Sequence, residues 1–106
     1  MMILKYNNKE IVLYKCNSFF SRLKGFMFKK NIDCALLFDR CNSIHTFFMY
    51  KNIDVILCSK DNTILYYYCN LERNRIVLPK KGVCKVYEMP SNYFNVKVGD
   101  VMEVIE

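Results

Sequence analysis

The run Asp54-Val55-Ile56-Leu57-Cys58-Ser59-Lys60-Asp61-Asn62-Thr63-Ile64-Leu65-Tyr66-Tyr67-Tyr68-Cys69 decides the fold class. Its first part reads as a strongly apolar strand. Lys60-Asp61-Asn62 reads as a turn, because Asp and Asn bond their own backbone and accept left-handed geometry. Thr63 to Cys69 is a second strand, rich in β-branched and aromatic residues.

Working upstream, Tyr50-Lys51-Asn52 is another turn, and residues 44–49 before it read as a strand expected to pair antiparallel with 53–59. Ala35-Leu36-Leu37-Phe38 reads as a buried strand between Asp33 and Asp39-Arg40. Residues 2–6 and 10–16 read as two strands around Tyr6-Asn7-Asn8-Lys9, since paired Asn tolerates the positive φ of a tight turn. Between them the period changes. Phe19, Phe20, Leu23, Phe26 and Met27 recur at three- and four-residue intervals, which predicts a short amphipathic helix over about 18–26. Asn17 or Ser18 can cap its start and Gly25 can end it.

Downstream, residues 70–74 read as a polar loop, 75–78 as a short extended piece and 78–82 as a turn. Residues 83–89 alternate Val83, Lys85, Tyr87 against Cys84, Val86, Glu88, a strand with two unlike faces. Tyr93 and Phe94 anchor a connector, and 101–105 is a last strand. About eight short strands with one early helix predict a mainly β fold, a small antiparallel barrel or sandwich.

The chain has 106 residues and a formal net charge of +6. That length suits a single domain, here 1–106, with one core. Three Gly and two Pro leave little material for flexible linkers. The six cysteines include no Cys-x-x-Cys pair, so neither a zinc-ribbon nor a thioredoxin pattern is present. The start Met1-Met2-Ile3-Leu4-Lys5 is too short for a signal-peptide core, and no run reaches the length of a membrane span. The expectation is a reducing, cytoplasmic home with free thiols.

Arg22, Lys24, Lys29 and Lys30 form a basic cluster without an acid, a candidate anion contact set against the simpler reading of a solvated face. With Lys80 and Lys81 they are also the basis of an electrostatic nucleic-acid reading, disfavoured because no stacking motif accompanies the charge.

Chemistry centres on the single histidine, His45. If 44–49 and 53–59 pair, His45 faces Asp54 with Cβ atoms roughly 5 Å apart, and the carboxylate orients the imidazole as in a general base. A one-residue slip separates them. The simpler reading has Asp54 capping a turn. Cys41 and His45, four residues apart, stand about 13 Å apart on an extended strand, which disfavours thiol catalysis. Cys41, His45 and Asp54 match no zinc spacing, and no metal or cofactor is expected. The preferred function is a non-catalytic module that holds a small polar or sugar-like ligand, or a protein partner. Its cleft is predicted at His45, Thr46, Phe48, Met49, Asp54 and Glu88. An enzyme using a His45–Asp54 acid–base pair is the alternative.

Several markers fall in one order: Arg22-Leu23-Lys24-Gly25-Phe26-Met27, Leu36-Leu37-Phe38, Ile44-His45-Thr46-Phe47-Phe48-Met49, Ile53-Asp54-Val55-Ile56-Leu57, Glu88-Met89-Pro90-Ser91-Asn92 and Val98-Gly99-Asp100-Val101. Over about residues 18–104 this resembles the domain of unknown function 192 family. The resemblance implies a small, mainly β domain of the short cytoplasmic form, with no assigned biochemistry. Asn92 stands where the family pattern has glycine, and Asn is the residue best able to keep such a left-handed turn.

Overall fold

A computed structural model describes residues 2–106; the Phe19 side chain, part of the helical stripe above, lies outside the described residues. The elements are β1 (Met2–Tyr6), β2 (Lys9–Lys15), α1 (Phe19–Lys24), β3 (Ala35–Asp39), β4 (Ile44–His45), β5 (Ile53–Cys58), β6 (Ile64–Leu71), β7 (Ile76–Val77), β8 (Lys85–Pro90) and β9 (Glu103–Ile105). Seven strands form one sheet in the order β6-β5-β8-β3-β2-β1-β9, and β4 and β7 form a separate two-stranded ribbon.

The main sheet curls into an open barrel. Its edge strands β6 and β9 are not paired along their length; the residues just before them meet through an isolated bridge between Thr63 and Val101. Bonds from Ile64 N to Asp100 O and from Met102 N to Asn62 O hold that junction. All pairs are antiparallel except β2 with β3. A parallel pair needs a crossover, and α1 supplies it.

The predicted helix is shorter at its C-terminal end than expected, and its caps follow from local chemistry. Ser18 Oγ accepts the Ser21 N–H at 3.0 Å while Ser21 Oγ accepts the Ser18 N–H at 3.1 Å, so two of the helix's free donors are satisfied. Gly25 ends it at φ 46°, ψ −122°. Asn7 and Asn92 take positive φ at 55° and 60°, so the turn at Asn92 survives without glycine.

Both faces of the sheet are covered. Leu4, Leu13, Leu37, Ile56, Tyr87 and Met89 form the core inside the curl. Phe26, Leu36, Phe38, Val55, Leu57 and Val86 form a second core on the outer face, beneath α1 and the β4–β7 ribbon. Every residue of β5 is therefore buried, which explains a near-continuous apolar run instead of alternation.

Two expectations need correction. Residues 44–49 are not a strand throughout. Only Ile44 and His45 pair, and their partners are Val77 and Ile76 of β7, not β5. Phe48 takes φ 61°, which breaks an extended chain. Residues 70–74 are not wholly loop either, since β6 runs on to Leu71 through a bulge opposite Asp54.

Candidate functional site

Between α1 and β4, on the outer face, lies a cleft of about 270 Å³. Arg22, Leu23, Lys24 and Gly25 form its helical wall; Ser43, Ile44, His45 and Met49 form the opposite wall; Phe38 and Glu88 line it from the sheet. Most of that surface is hydrocarbon, with a few polar groups among it, as in sites for small ligands.

Glu88 is the unusual member. Strand alternation places it beside Val86 on the outer face, with Leu36 and Val55 as its cross-strand neighbours. It is 2% exposed, and Oε1 has no hydrogen-bond partner among the described residues. Burial pushes its carboxyl up to about 8, because removing water disfavours the charged form. At neutral pH it is mainly a protonated acid. Gly25 makes room for it: a Cβ at that position would stand 3.2 Å from Glu88 Oε1.

His45 is held by its own loop. Nδ1 accepts the Phe47 N–H at 3.2 Å, and the ring stacks on Phe47 at 5.4 Å between centroids. In a neutral ring this leaves the proton on Nε2 as a donor. Arg22 is partly committed, donating to Asp39 O at 2.7 Å and Arg40 O at 3.4 Å. Lys24 is exposed at the cleft wall. Lys29 lines a neighbouring depression with Cys16 and Cys34, and Lys30 is exposed and lines neither.

The structure brings His45, Met49 and Glu88 together and leaves Thr46, Phe48 and Asp54 elsewhere. Thr46 is buried and fastens the chain before β7. Its Oγ1 donates to Glu72 O and accepts from Arg75 N, both at 2.8 Å. Phe48 points outward and stacks on Phe28 at 5.7 Å. Asp54 pairs with Met89 across β5–β8, so it faces the inner core while His45 stands on the outer side. No shared hollow joins the two, and the His45–Asp54 pair does not form.

Asp54 instead serves the bulge. Its Oδ1 accepts the Asn70 N–H at 2.7 Å, and Oδ2 lies 3.3 Å from the Tyr67 hydroxyl, whose one proton has its shorter contact, 2.8 Å, to Phe94 O. Asn70 sits at φ 56°, out of register with the ladder, and the carboxylate replaces the lost acceptor. Asp54→Ala is expected to cost about 2–3 kcal/mol, since a charged acceptor is removed and a part-buried donor orphaned. Urea unfolding measures the loss, and faster exchange of the Asn70 amide locates it. A loss below about 0.5 kcal/mol, within the range of ordinary surface substitutions, contradicts this role.

All six cysteines are free. Burial pushes the Cys16 thiol up to about 11 and the Cys58 thiol up to about 12, which makes both poor nucleophiles. Cys41 lines the cleft and donates from Sγ to Ser43 O at 3.1 Å. Among the described residues, no three His, Cys, Asp or Glu side chains converge on a metal position. No described helix is long and apolar enough to cross a membrane.

Fold and cleft together define a class: a small, mainly β domain, an open barrel with a largely apolar, acid-floored cleft under one short helix. The profile of the DUF192 family, described as "Uncharacterized ACR", matches residues 2–104, and the chain belongs to that family. It is 33% identical over 99 residues to a UPF0127 protein of Thermococcus sibiricus, covering 82% of this chain and 62% of that protein. It is 38% identical over 98 residues to a UPF0127 protein of Pyrococcus abyssi, covering 84% of this chain and 82% of the relative.

Two crystal structures share the fold. A protein of unknown function from Novosphingobium aromaticivorans matches with a TM-score of 0.82 at 14% identity, over 96% of this chain and 82% of the other. A candidate transcription regulator from Sinorhizobium meliloti matches with a TM-score of 0.82 at 19% identity, over 97% and 91%. At those identities the likeness concerns the fold alone.

Proposed function

We propose that this protein is a non-catalytic binding module of a reducing, cytoplasmic compartment, and that its ligand occupies the cleft between His45 and Glu88. The observation that carries this reading is the unpartnered Glu88 Oε1 beside a cleft wide enough for a small molecule. A buried polar group without a partner is costly. A carboxyl group kept at such a place is explained by a ligand that supplies the missing bond. Leu23, Phe38, Ile44 and Met49 favour a ligand with an apolar body and one hydrogen-bonding head over a sugar-like one. His45 and Asp54 lie on opposite sides of the sheet, so the reading rests on the cleft at His45 and Glu88 and not on that pair.

The test is a fragment library of small molecules, about a dozen heavy atoms each, screened by ¹H–¹³C NMR against the His45 Cε1–H and the Met49 methyl. Binders that shift both signals, and that lose affinity in Leu23→Trp, support the reading. Binders confined to other surfaces, or none that move His45 and Met49, overturn it.

A further inference from the structure

We infer that the face built from residues 20–32 and 44–52 docks on an anionic lipid surface. These two segments carry Arg22, Lys24, Lys29, Lys30 and Lys51 and no Asp or Glu. They also hold Leu23, Phe28, Phe47, Phe48 and Tyr50 exposed. The segments form one continuous face. The Phe28 N–H donates to Phe48 O at 3.0 Å, the two rings stack at 5.7 Å, and Tyr50 packs edge-on to Phe28 at 6.5 Å.

The backbone holds these rings outward against its own preference. Phe28 and Phe48 sit at φ 62° and 61°, a region where bulky residues are rare. Yet they are 58% and 62% exposed. Beyond their mutual stacking, rings left mostly in water on a disfavoured backbone gain little for the isolated domain. Against a bilayer they gain burial, while the surrounding lysines meet anionic headgroups.

Charge and geometry select lipid over other occupants. A second copy would oppose five cations to five in a self-complementary contact. Nucleic acid would favour several rings with both faces free, whereas Phe28 and Phe48 each give one face to the other, as do His45 and Phe47. Four of the five cations are lysines, point charges suited to a diffuse anionic surface, and Arg22 already donates to two carbonyls. The cytoplasmic leaflet, rich in anionic lipid, is the matching surface. The inference does not require the cleft to be occupied.

The experiment is co-sedimentation of the whole chain with phosphatidylcholine vesicles, with and without phosphatidylglycerol. Binding to the anionic vesicles is expected at least about tenfold above the neutral ones and to fall as salt screens the charges. Phe28→Asn with Phe48→Asn is expected to lower partitioning roughly tenfold by removing both apolar rings. Asn accepts left-handed geometry, so that variant keeps or gains thermal stability and a folding defect is not the cause. Lys29→Glu with Lys30→Glu is expected to weaken anionic binding to a similar degree.

Equal binding to neutral vesicles, no binding, or full binding by the Asn variant overturns the inference. So does a self-association lost in the Asn variant, which assigns the face to a second copy. Tight binding of a single-stranded oligonucleotide that depends on Phe28 and Phe48, without vesicle binding, assigns it to nucleic acid.

Discussion

The native chain is expected to lose stability steeply between about pH 4.5 and pH 8, and Glu88→Gln to abolish that loss. Burial raises this carboxyl from its ordinary value of 4.5 to about 8. Between those values the folded chain keeps a proton that the unfolded chain has released. The folded state therefore binds more protons, and stability falls as pH rises. The contribution is fully present below pH 4.5 and is lost through about pH 8, where the folded chain must bury a charge. The total is on the order of 3–5 kcal/mol, since each pKa unit is worth about 1.4 kcal/mol. That is a large share of the roughly 5–15 kcal/mol that holds a domain together. Glutamine buries two amide donors in place of one acid proton, so the variant starts somewhat less stable in acid and becomes the more stable chain in alkali. Urea unfolding of both chains across that range gives a difference curve that isolates Glu88. A flat difference shows that the carboxyl is ionised throughout or reaches water.

Gly25→Ala is expected to be the most damaging small substitution at the cleft, costing about 2–4 kcal/mol. Two causes add. The residue ends α1 at φ 46°, ψ −122°, a conformation that a Cβ opposes. The new methyl would also stand 3.2 Å from Glu88 Oε1 and 3.4 Å from Phe38 Cζ. A double-mutant cycle separates them. In a Glu88→Ala background the contact with the carboxylate oxygen disappears while the backbone strain remains, so the loss should shrink without vanishing. An equal loss in both backgrounds removes the contact with Glu88 and leaves the strain and the Phe38 contact. A loss under about 1 kcal/mol in the native background removes both.

Much of the local structure was legible because short-range chemistry fixes it. Ser18, one of the two N-cap candidates, starts the helix, Gly25 ends it because it lacks a side chain, the paired asparagines turn β1 into β2, and Asn92 keeps its left-handed turn. Each of those features depends on residues close together in the chain. The Cys41–Leu57 stretch was harder. His45 has the residues of a strand around it, but its partner, Ile76, lies 31 positions further on, and no local pattern specifies a pairing at that range. Without that partner the face toward which His45 turns is undefined. Thr46 carried no signal of its buried role, because its bonds run to carbonyl and amide groups of a distant loop.

Glu88 shows the same limit from the other side. From Lys85 on, alternation places it with Val86, opposite Tyr87; residues 83 and 84 precede the strand, and Val83, expected on the Tyr87 side, packs with Val86 instead. That pattern suggests one buried and one wet face. In the structure a second apolar layer covers most of the outer face, and the carboxyl lies buried at the floor of the cleft. By itself the sequence determined the β class, the helix stop at Gly25, the asparagine turns and the family, since propensity, periodicity and backbone chirality act within a few residues. Only the tertiary structure decided that β2 and β3 run parallel, that Asp54 points inward to mend a bulge, and that Glu88 underlies the cleft. Those outcomes depend on which distant strands meet and which face each covers, and that choice belongs to the packed chain as a whole.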